Sequence, residues 1–487
     1  MTEFADHSAI PESGGKRGDA VRADQSSEDS LRHSLKDATA YAVMMGAGET
    51  YLSAFALFLK ASTPQIGLLA SVPPLIGSLA QIVSAGLGHL TGRRKPIILV
   101  GAGLQAAAWL PITLLPLLFP AAAVPLLIAS VIVYHCGAHL AAPQWASLMG
   151  DLVPMRRRGR FFARRTRIVT LGTFLSLAAG GVILHGYTTA GQTLAGFVVL
   201  FGIAMVARGI SAWHLARMHD PAGHVAALRL PARGAWWRQL GRSNFVRFSS
   251  FYALMQFAVA ISSPFFAVYM LRDLQFSYAQ FTANTAMSVL MQFLTLSQWG
   301  RISDVFGNRR ILAVTGLMLP LMPLLWMVST NFWYLLLVQM LSGLSWAGFT
   351  LGAGNFLYDL VAREKRATYL AIHNVLSSTG VFCGAVLGGY LGVMLPERVD
   401  IFGVSWVWLS PLLGVFAIST AARTIVLLVL LPRIREVRKV RPISFAAVIF
   451  RVTRVNALAG IMFDIIGSRP KAARATPAAD IEQAESG

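Results

Sequence analysis

The sequence predicts an all-α membrane protein of about twelve membrane-spanning helices, arranged as two homologous six-helix bundles. The chain has 487 residues, of which 55% are hydrophobic and only 13% are charged. Apolar runs of about 20 residues recur along it, and such runs are long enough to cross the hydrocarbon core as helices. Basic residues cluster between alternate runs, and the second half of the chain repeats features of the first.

Composition also excludes several classes of protein. The formal charge is +20, but the basic residues lie in short clusters between apolar runs rather than along one stripe, so a nucleic-acid partner is not expected. Cys136 and Cys383 lie inside apolar runs, which predicts small core side chains rather than a disulfide or a metal site. Residues 1–37 are polar and charged, which predicts a disordered tail without a cleavable signal peptide.

The breaks between apolar runs define the predicted spans. The least certain break separates the ninth span from the tenth, because only Thr330 and Asn331 lie between them. If these two runs formed one helix, the number of spans would be odd. The predicted spans are 38–59, 65–90, 96–119, 122–149, 166–187, 192–216, 245–271, 278–300, 311–330, 332–357, 371–395 and 404–431.

The distribution of basic residues predicts the orientation. The odd-numbered loops contain only Lys60, Arg272 and Arg398 as basic residues, whereas clusters such as GRRK (92–95) and AREKR (362–366) fall in even-numbered loops. By the positive-inside rule both termini are cytoplasmic. Arginine is far more frequent than lysine, an association with GC-rich bacterial genomes that favours a bacterial inner membrane.

An internal repeat divides the chain into two halves. A shift of 208 residues aligns Asp-Leu-Val at Asp151 with Asp-Leu-Val at Asp359, and pairs Arg158 with Arg366. Polar and glycine matches in the same order are hard to obtain by chance, so the halves are interpreted as parallel repeats. The predicted domains are a tail (1–37), a first bundle (38–217), a cytoplasmic linker (218–244), a second bundle (245–432) and a tail (433–487) with an amphipathic interfacial helix at 443–467.

Two corresponding loops contain the clearest motif. GHLTGRRK (88–95) follows the second span, and GRISDVFGNRR (300–310) follows the eighth. The second copy resembles the loop signature of the major facilitator superfamily, G-x-x-x-D-x-x-G-x-R-R. The resemblance implies two rocking bundles with a central cavity between the first, fourth, seventh and tenth spans.

The same resemblance implies a cytoplasmic gate. In it Asp304 would engage Arg164, Arg165 or Arg167 at the start of the fifth span. The first copy of the loop lacks the Asp, so the symmetric contact with the eleventh span is not expected. The gate is therefore expected to be asymmetric, with the second half providing most of the contacts. Asp151 and Asp359, with Arg158 and Arg366, are expected to close the same mouth. The remaining gate residues are Gly88, Arg93, Arg94, Gly300, Gly307, Arg309 and Arg310.

Polar residues inside the cavity spans are the candidates for substrate or proton binding. Glu49 lies near the middle of the first span, where an ionisable group is costly and therefore a functional hypothesis, although a hydrogen-bonded structural Glu is an alternative. His135 and His139 share a face of the fourth span and could bind substrate, relay protons or pair helices. The other candidates, for which packing is the alternative, are Tyr41, Tyr252, Gln256, Trp346 and Asn355.

Two arginines inside spans are expected to serve another purpose. Arg208 and Arg423 occupy corresponding positions of the sixth and twelfth spans, and we expect them to snorkel to the interface.

The leading functional hypothesis is a proton-linked secondary transporter of a small polar or amphipathic solute, acting as a monomer without a cofactor. A drug or metabolite efflux antiporter is an alternative, although the fourth span (VYHCGAH) lacks an Arg, and Ser176-Leu177 stands where such antiporters have Gly-Pro. A non-transporting receptor or assembly factor on the same fold is a third hypothesis. An enzyme is not expected, because no nucleophile–base set or phosphate-binding loop is present.

Overall fold

The computed structural model describes residues 14–154, 157–220, 243–361, 366–396, 398–401, 404–407 and 409–437. The first six spans follow one another in order. The first and the third are interrupted, the first by a 3₁₀ turn at Glu49–Tyr51. Their helices are Gly14–Ala47 and Leu52–Phe58 (span 1), Thr63–Thr91 (span 2), Lys95–Ala107 and Trp109–Leu118 (span 3), Ala123–Leu152 (span 4), Arg158–Thr189 (span 5) and Thr193–Ala216 (span 6).

The second six spans repeat this order. Span 7 ends in a π-helical turn at Tyr269–Asp273, and a two-stranded antiparallel hairpin, Arg398–Ile401 with Val404–Val407, joins spans 11 and 12. The helices are Asn244–Ala260 and Phe265–Val268 (span 7), Tyr278–Phe306 (span 8), Asn308–Met318 and Leu321–Trp326 (span 9), Phe332–Leu360 (span 10), Arg366–Met394 (span 11) and Pro411–Leu430 (span 12).

Ten spans of the described residues are long and apolar enough to cross a bilayer. The other two are span 1, which is interrupted, and span 8, whose helix contains many Gln, Thr, Ser and Asn residues. An all-α membrane protein with two bundles is therefore confirmed, with the short hairpin as an addition.

Side-chain caps explain where several helices begin. The Asn331 side chain accepts hydrogen bonds from the backbone N–H groups of Trp333 (2.9 Å) and Tyr334 (3.2 Å), so spans 9 and 10 are separate helices. Spans 2 and 8 both begin with a Ser-x-x-Gln capping box, at Ser62 and at Ser277. The same cap at the second helix of each bundle is local evidence for the repeat.

The prediction of a disordered tail over residues 1–37 was wrong for its second part. Residues 14–37 are helical and continue directly into span 1. The backbone N–H of His219, just after span 6, donates to Ser30 Oγ at 2.9 Å. Docking of this helix against the end of span 6 supplies stabilisation that polar composition does not reveal. Residues 1–13, most of the linker and the predicted amphipathic helix at 443–467 lie outside the described residues.

The two bundles pack together at the ends opposite the basic loops. In span 5, a β-carbon on Gly181 would lie 2.4 Å from Thr282 of span 8, and in span 2 a β-carbon on Gly67 would lie 2.6 Å from the Ala385 carbonyl of span 11. Only glycine permits such close approach. The hydroxyls of Tyr51 and Thr282 are 3.1 Å apart across the same interface.

Candidate functional site

Glu49 lies at an interruption of span 1. The helix ends at Ala47, Gly48 precedes a single 3₁₀ turn, and a β-carbon on Gly48 would lie 2.5 Å from the Trp109 ring. The close packing of Trp109 therefore requires glycine at this position. The turn directs the partly exposed Glu49 to span 4, where Tyr134 Oη donates to Glu49 Oε2 at 2.7 Å. A carboxyl and a phenol thus form a short hydrogen bond inside the first bundle.

Tyr41 lies two turns before Glu49 and takes part in a different arrangement. The Arg208 guanidinium stacks on the Tyr41 ring at 5.4 Å. Arg208 also donates to Ser211 Oγ, which donates to Asp37 Oδ1 at 2.6 Å. Asp37 in turn pairs with Arg165 at 3.1 Å. This network joins spans 1, 5 and 6 within one bundle.

His135 and His139 follow Tyr134 along span 4. Their rings lie 6.3 Å apart and nearly parallel, and His135 meets the Tyr134 ring edge-on at 5.5 Å. On span 2, Gly77 leaves room for His139, because a β-carbon there would lie 2.6 Å from the imidazole. Both histidines are partly exposed. The structure thus brings Glu49, Tyr134 and His135 into consecutive contact.

Aromatic side chains form the corresponding part of the second bundle. Tyr252 stacks on Phe349 (5.9 Å, 8°) and lies 4.8 Å from the His373 ring, and Trp346 meets Phe349 edge-on at 5.8 Å. His373 is 5% exposed, and its Nδ1 is 3.1 Å from Ser249 Oγ. Sequence reasoning missed His373; a histidine within the eleventh apolar run was the available signal.

Gln256, one turn after Tyr252, is partly exposed, but its Oε1 is buried without a hydrogen-bond partner in the part of the chain that the structure describes. A buried acceptor without a partner is costly unless water or a ligand supplies a donor. Gln256 is therefore a suitable position for a substrate contact.

The loop after span 2 is held by a buried arginine. Arg94 is 1% exposed, pairs with Asp151 at the end of span 4, and pairs with Asp220 after span 6 at 2.9 Å. Burial alone would lower the pKa of Arg94, but its hydrogen bonds and charge pairing with Asp151 and Asp220 raise it, so the guanidinium remains charged. The loop after span 2 has no Asp of its own, and the carboxylates that pair with its arginine come from the end of span 4 and from the segment after span 6.

Three other predicted gate residues lie near this loop, and each has a different environment. Gly88 packs against the Gln144 side chain, and Arg93 is exposed. Arg158 donates to the carbonyls of Gly150 and Val153, which end span 4.

The loop after span 8 has a related arrangement. Asn308 donates to Asp359 at 2.9 Å, as Arg94 does to the corresponding Asp151. The backbone N–H of Arg309 donates to Glu436 Oε2 at 2.8 Å. In the first bundle, the backbone N–H of Lys95 donates to Asp220 at 3.3 Å in the same way. An acidic residue after the last span of each bundle therefore caps the third helix of that bundle. Asn355 donates to Ser303 at 3.3 Å and so lies with this cluster.

The predicted latch between the bundles is outside what the structure describes. The side chains of Asp304 and Arg366 lie outside the described residues. Arg165 pairs with Asp37 in its own bundle and stacks on Trp145 at 4.2 Å, and Arg164 and Arg167 are exposed. Of the remaining gate residues, Gly300 has open space beside it, Gly307 adopts φ +86°, and Arg310 is partly exposed.

The expectation that Arg208 and Arg423 snorkel to the interface was wrong. They are 4% and 2% exposed. Arg208 is held by Ser211 and Tyr41, and Arg423 donates to backbone carbonyls and serine hydroxyls within its bundle. Several buried acceptors hold the Arg423 guanidinium, whereas one serine hydroxyl and one aromatic ring hold that of Arg208, whose Nε has no hydrogen-bond partner among the described residues.

Comparison with known proteins identifies the family. The sequence matches the Major Facilitator Superfamily model over residues 38–246 and 248–467. The chain belongs to the Major Facilitator Superfamily. It is thus a multi-pass membrane protein of a transporter family, whose members move small molecules and are not enzymes.

Individual members of the superfamily match over shorter segments. The chain is 27% identical to a probable peptide/nitrate transporter of Arabidopsis thaliana over 168 residues, 31% of this chain and 32% of that protein. It is 28% identical to the class B tetracycline resistance protein of Escherichia coli over 112 residues, 23% of this chain and 28% of that protein. The matches thus span about a third or less of these curated relatives.

Solved structures share the fold. An auto-inhibited peptide transporter of the POT family superposes with a TM-score of 0.64 at 12% identity, over 85% of this chain and 99% of that one. A D-xylose–proton symporter superposes with a TM-score of 0.61 at 14% identity, over 82% and 96% of the two chains. At these identities the likeness establishes the fold alone.

Proposed function

We propose that this protein is a proton-coupled secondary transporter of a small solute, working by alternating access. The observation that carries the proposal is the Glu49–Tyr134 hydrogen bond at the interruption of span 1. A carboxyl within a membrane span is costly to ionise, so its proton occupancy changes the free energy of the surrounding structure substantially. Protonation of Glu49 and movement of the bundles are therefore expected to be coupled.

The pattern of basic loops and bundle contacts supports an orientation and a state. By the positive-inside rule, the basic loops face the cytoplasm, and a bacterial inner membrane remains our proposed location. The bundles pack together at the opposite ends, through Gly67 and Gly181. The contact between spans 2 and 11 continues to Gln81 and Asn374, whose side chains are hydrogen-bonded at 3.3 Å. Bundles packed together at the ends opposite the basic loops correspond to a transporter that is closed on that side.

The chemistry of the two bundles suggests a division of roles. Glu49 and Tyr134 lie in the first, whereas the second presents the aromatic rings of Tyr252, Phe349 and Trp346 and the amide of Gln256. Aromatic faces and a free amide acceptor favour a solute with an apolar surface and a hydrogen-bond donor. In this proposal the first bundle takes the proton and the second recognises the solute.

The test uses proteoliposomes containing an internal pH-sensitive dye. A panel of sugars, amino acids, organic acids and cationic drugs first identifies a solute that moves protons. For that solute, Glu49→Gln is expected to reduce proton-driven accumulation by about tenfold or more while leaving solute exchange within about twofold, because the variant retains a neutral hydrogen-bonding group but cannot release a proton.

Glu28→Gln provides the matched control, because Glu28 is an exposed carboxyl whose side chain is 55% accessible. It should transport as the unmodified protein does. Proton-driven accumulation by Glu49→Gln at the unmodified level would disprove proton coupling through Glu49. A protein that moves none of the panel solutes in sealed vesicles would favour the non-transporting receptor.

The efflux antiporter remains a second candidate because of the local similarity to tetracycline resistance proteins. The two candidates differ in the direction of proton movement. Symport acidifies the compartment that the solute enters, whereas antiport makes it more alkaline, so the internal dye separates them in the same experiment.

A further inference from the structure

An open apolar groove runs between spans 1 and 6 on the outside of the first bundle. Its volume is about 470 Å³, within the range of about 300–1,000 Å³ typical of ligand sites. Val206 and Ile210 on its wall are 58% and 48% exposed. Exposed apolar side chains within a membrane span face lipid chains. The groove is lined by Ala40, Val43, Gly202, Ile203, Val206, Ala207 and Ile210.

Helical spacing places two cations at one end of this groove. Lys36 lies four residues before Ala40 and seven before Val43, which puts it on the same face of the first helix. Arg217 lies seven residues after Ile210, directly after the span 6 helix. Lys36 is exposed, and Arg217 stacks on the half-exposed Trp213 at 3.9 Å, an aromatic placement typical of the membrane interface.

Two hydrogen-bonded histidines lie beside the two cations. The Nδ1 atoms of His33 and His214 are 2.9 Å apart, so one proton is shared between the two rings. His33 lies one turn before Lys36 and His214 one turn before Arg217, so the contact between the two rings places the two cations on neighbouring helices at the same end of the groove.

The nearby carboxylates already have partners. Asp37 faces the interior and pairs with Arg165 at 3.1 Å, and Asp29 pairs with Arg32 at 3.8 Å. The positive charge at the end of the groove therefore remains largely uncompensated within the described residues.

We propose that this groove and its cationic end bind one anionic phospholipid, with an acyl chain along Gly202 and Val206 and the phosphate against Lys36 and Arg217. The apolar lining fits a hydrocarbon chain, and the clustered cations fit a headgroup phosphate, as in basic pockets between membrane helices. The bound lipid joins the N-terminal helix to span 6. The site lies on the outside of the bundle, and the proposal does not depend on the transported solute.

Native mass spectrometry of the delipidated full-length protein in neutral detergent tests the site, with dioleoylphosphatidylglycerol and dioleoylphosphatidylcholine as probes. The unmodified protein is expected to retain one phosphatidylglycerol with about fivefold or greater preference over phosphatidylcholine, because the choline headgroup has no net charge to match the cations. Lys36→Gln combined with Arg217→Gln should reduce that preference to less than about twofold.

Gly202→Leu tests the groove, because nothing lies within 4 Å of a β-carbon at Gly202 and the added side chain would fill the acyl path. It should weaken phosphatidylglycerol binding. Gly209→Leu is the matched control, since Gly209 also has open space beside it but does not line the groove. Arg301→Gln is the control for charge, because Arg301 is an exposed cation elsewhere. Both controls should bind as the unmodified protein does.

Three results would overturn the proposal. One is equal binding of the two lipids by the unmodified protein. Another is full binding by either the charge variant or Gly202→Leu; the charge variant alters only exposed side chains, so it is expected to fold. The third is competition by soluble glycerol phosphate at the same concentration as phosphatidylglycerol, which would indicate an anion site that makes no use of the groove.

Discussion

At the scale of single residues, Arg423 is a buried cation within a membrane span. It is 2% exposed in the middle of span 12 and donates to the carbonyl of Leu319 (2.9 Å), the carbonyl of Val259 (3.3 Å) and Ser262 Oγ (2.7 Å). Residue 323 is proline and has no N–H for the Leu319 carbonyl, which accepts from the Met322 N–H only at 3.4 Å, so the arginine supplies the shorter hydrogen bond. Arg423 thereby joins the interrupted parts of spans 7 and 9 to span 12.

Replacement of Arg423 should therefore destabilise the second bundle. Arg423→Met removes the charged hydrogen bonds to the Leu319 carbonyl and to Ser262 Oγ, and each such bond is worth about 1.5–3 kcal/mol. The melting temperature in detergent should fall clearly, and Arg423→Lys should recover only part of it because one ammonium cannot reach all three acceptors. Arg433→Met, which removes an exposed arginine after span 12, is the control. Equal melting temperatures of Arg423→Met and the control would contradict this role.

The sequence shows that a charge at such a position is costly to bury, but it does not show which groups pair with that charge. Arg208 and Arg423 are visible as charges inside apolar runs, and Pro323 as a helix breaker. The pairing of Arg423 with the Leu319 carbonyl depends on packing between residues 104 positions apart. Snorkelling was expected because it needs no buried hydrogen-bond acceptor. A single sequence does not identify such an acceptor. For the same reason, the sequence predicted Glu49 as a candidate but did not identify its partner Tyr134.

At the scale of helices, local chemistry sets several of the observed starts. The predicted start of span 12 at residue 404 was wrong, because Val404–Val407 forms the second strand of the hairpin and the helix begins at Pro411. Asn331 and the Ser-x-x-Gln boxes at Ser62 and Ser277 act within one turn of chain, so the sequence alone locates the starts of three helices. The helix at Gly14–Ala47 was missed before residue 38 because its polar composition resembles a disordered tail. What supports it is distant in sequence: His33 contacts His214, and Ser30 accepts from His219.

Docking of the N-terminal helix should weaken in acid. The pKa of His33 is lowered, first by burial and then by the charges of Lys36 and Arg217, which Asp29 opposes in part. His214 and Asp37 are the other titratable groups at this contact. A folded-state pKa below the unfolded value of about 6.5 means that the unfolded chain takes up the proton first, so stability falls as pH drops below about 6.5.

The measurement is the change in melting temperature between about pH 7.5 and about pH 5.5 in lipid-free neutral detergent. His33→Gln should lose less stability over this interval than the unmodified protein, because the amide keeps a hydrogen bond but has no proton to gain. His185→Gln, which alters an exposed histidine elsewhere, should behave as the unmodified protein. An identical pH dependence of all three proteins would rule out a role for His33.

At the scale of the whole molecule, the repeat predicts two equivalent bundles, and the gate loops show where equivalence ends. Arg94 pairs with Asp151 where Asn308 pairs with Asp359, so one bundle holds its loop with a charge and the other with an amide. Sequence alignment of the halves predicted the acids but not their partners, nor the contributions of Asp220 and Glu436, which follow the last helices. Which ends of the bundles touch was not predictable, because both states of a rocking transporter share one sequence.

The contact between spans 2 and 11 allows a direct test of rocking. A β-carbon on Gly392 would lie 3.9 Å from Thr63 Cβ, close to the mean Cβ–Cβ distance of about 3.8 Å in disulfides. In a chain with Cys136→Ala and Cys383→Ser, the pair Thr63→Cys and Gly392→Cys should therefore cross-link on oxidation. If transport requires these ends to separate, cross-linked proteoliposomes should lose about 90% or more of solute uptake, and a reducing agent should restore it. Each single cysteine variant should transport in both redox states. A fully cross-linked protein that still takes up solute at the reduced rate would mean that the bundles do not part at this contact, and that access to Glu49 changes by movement within a bundle instead.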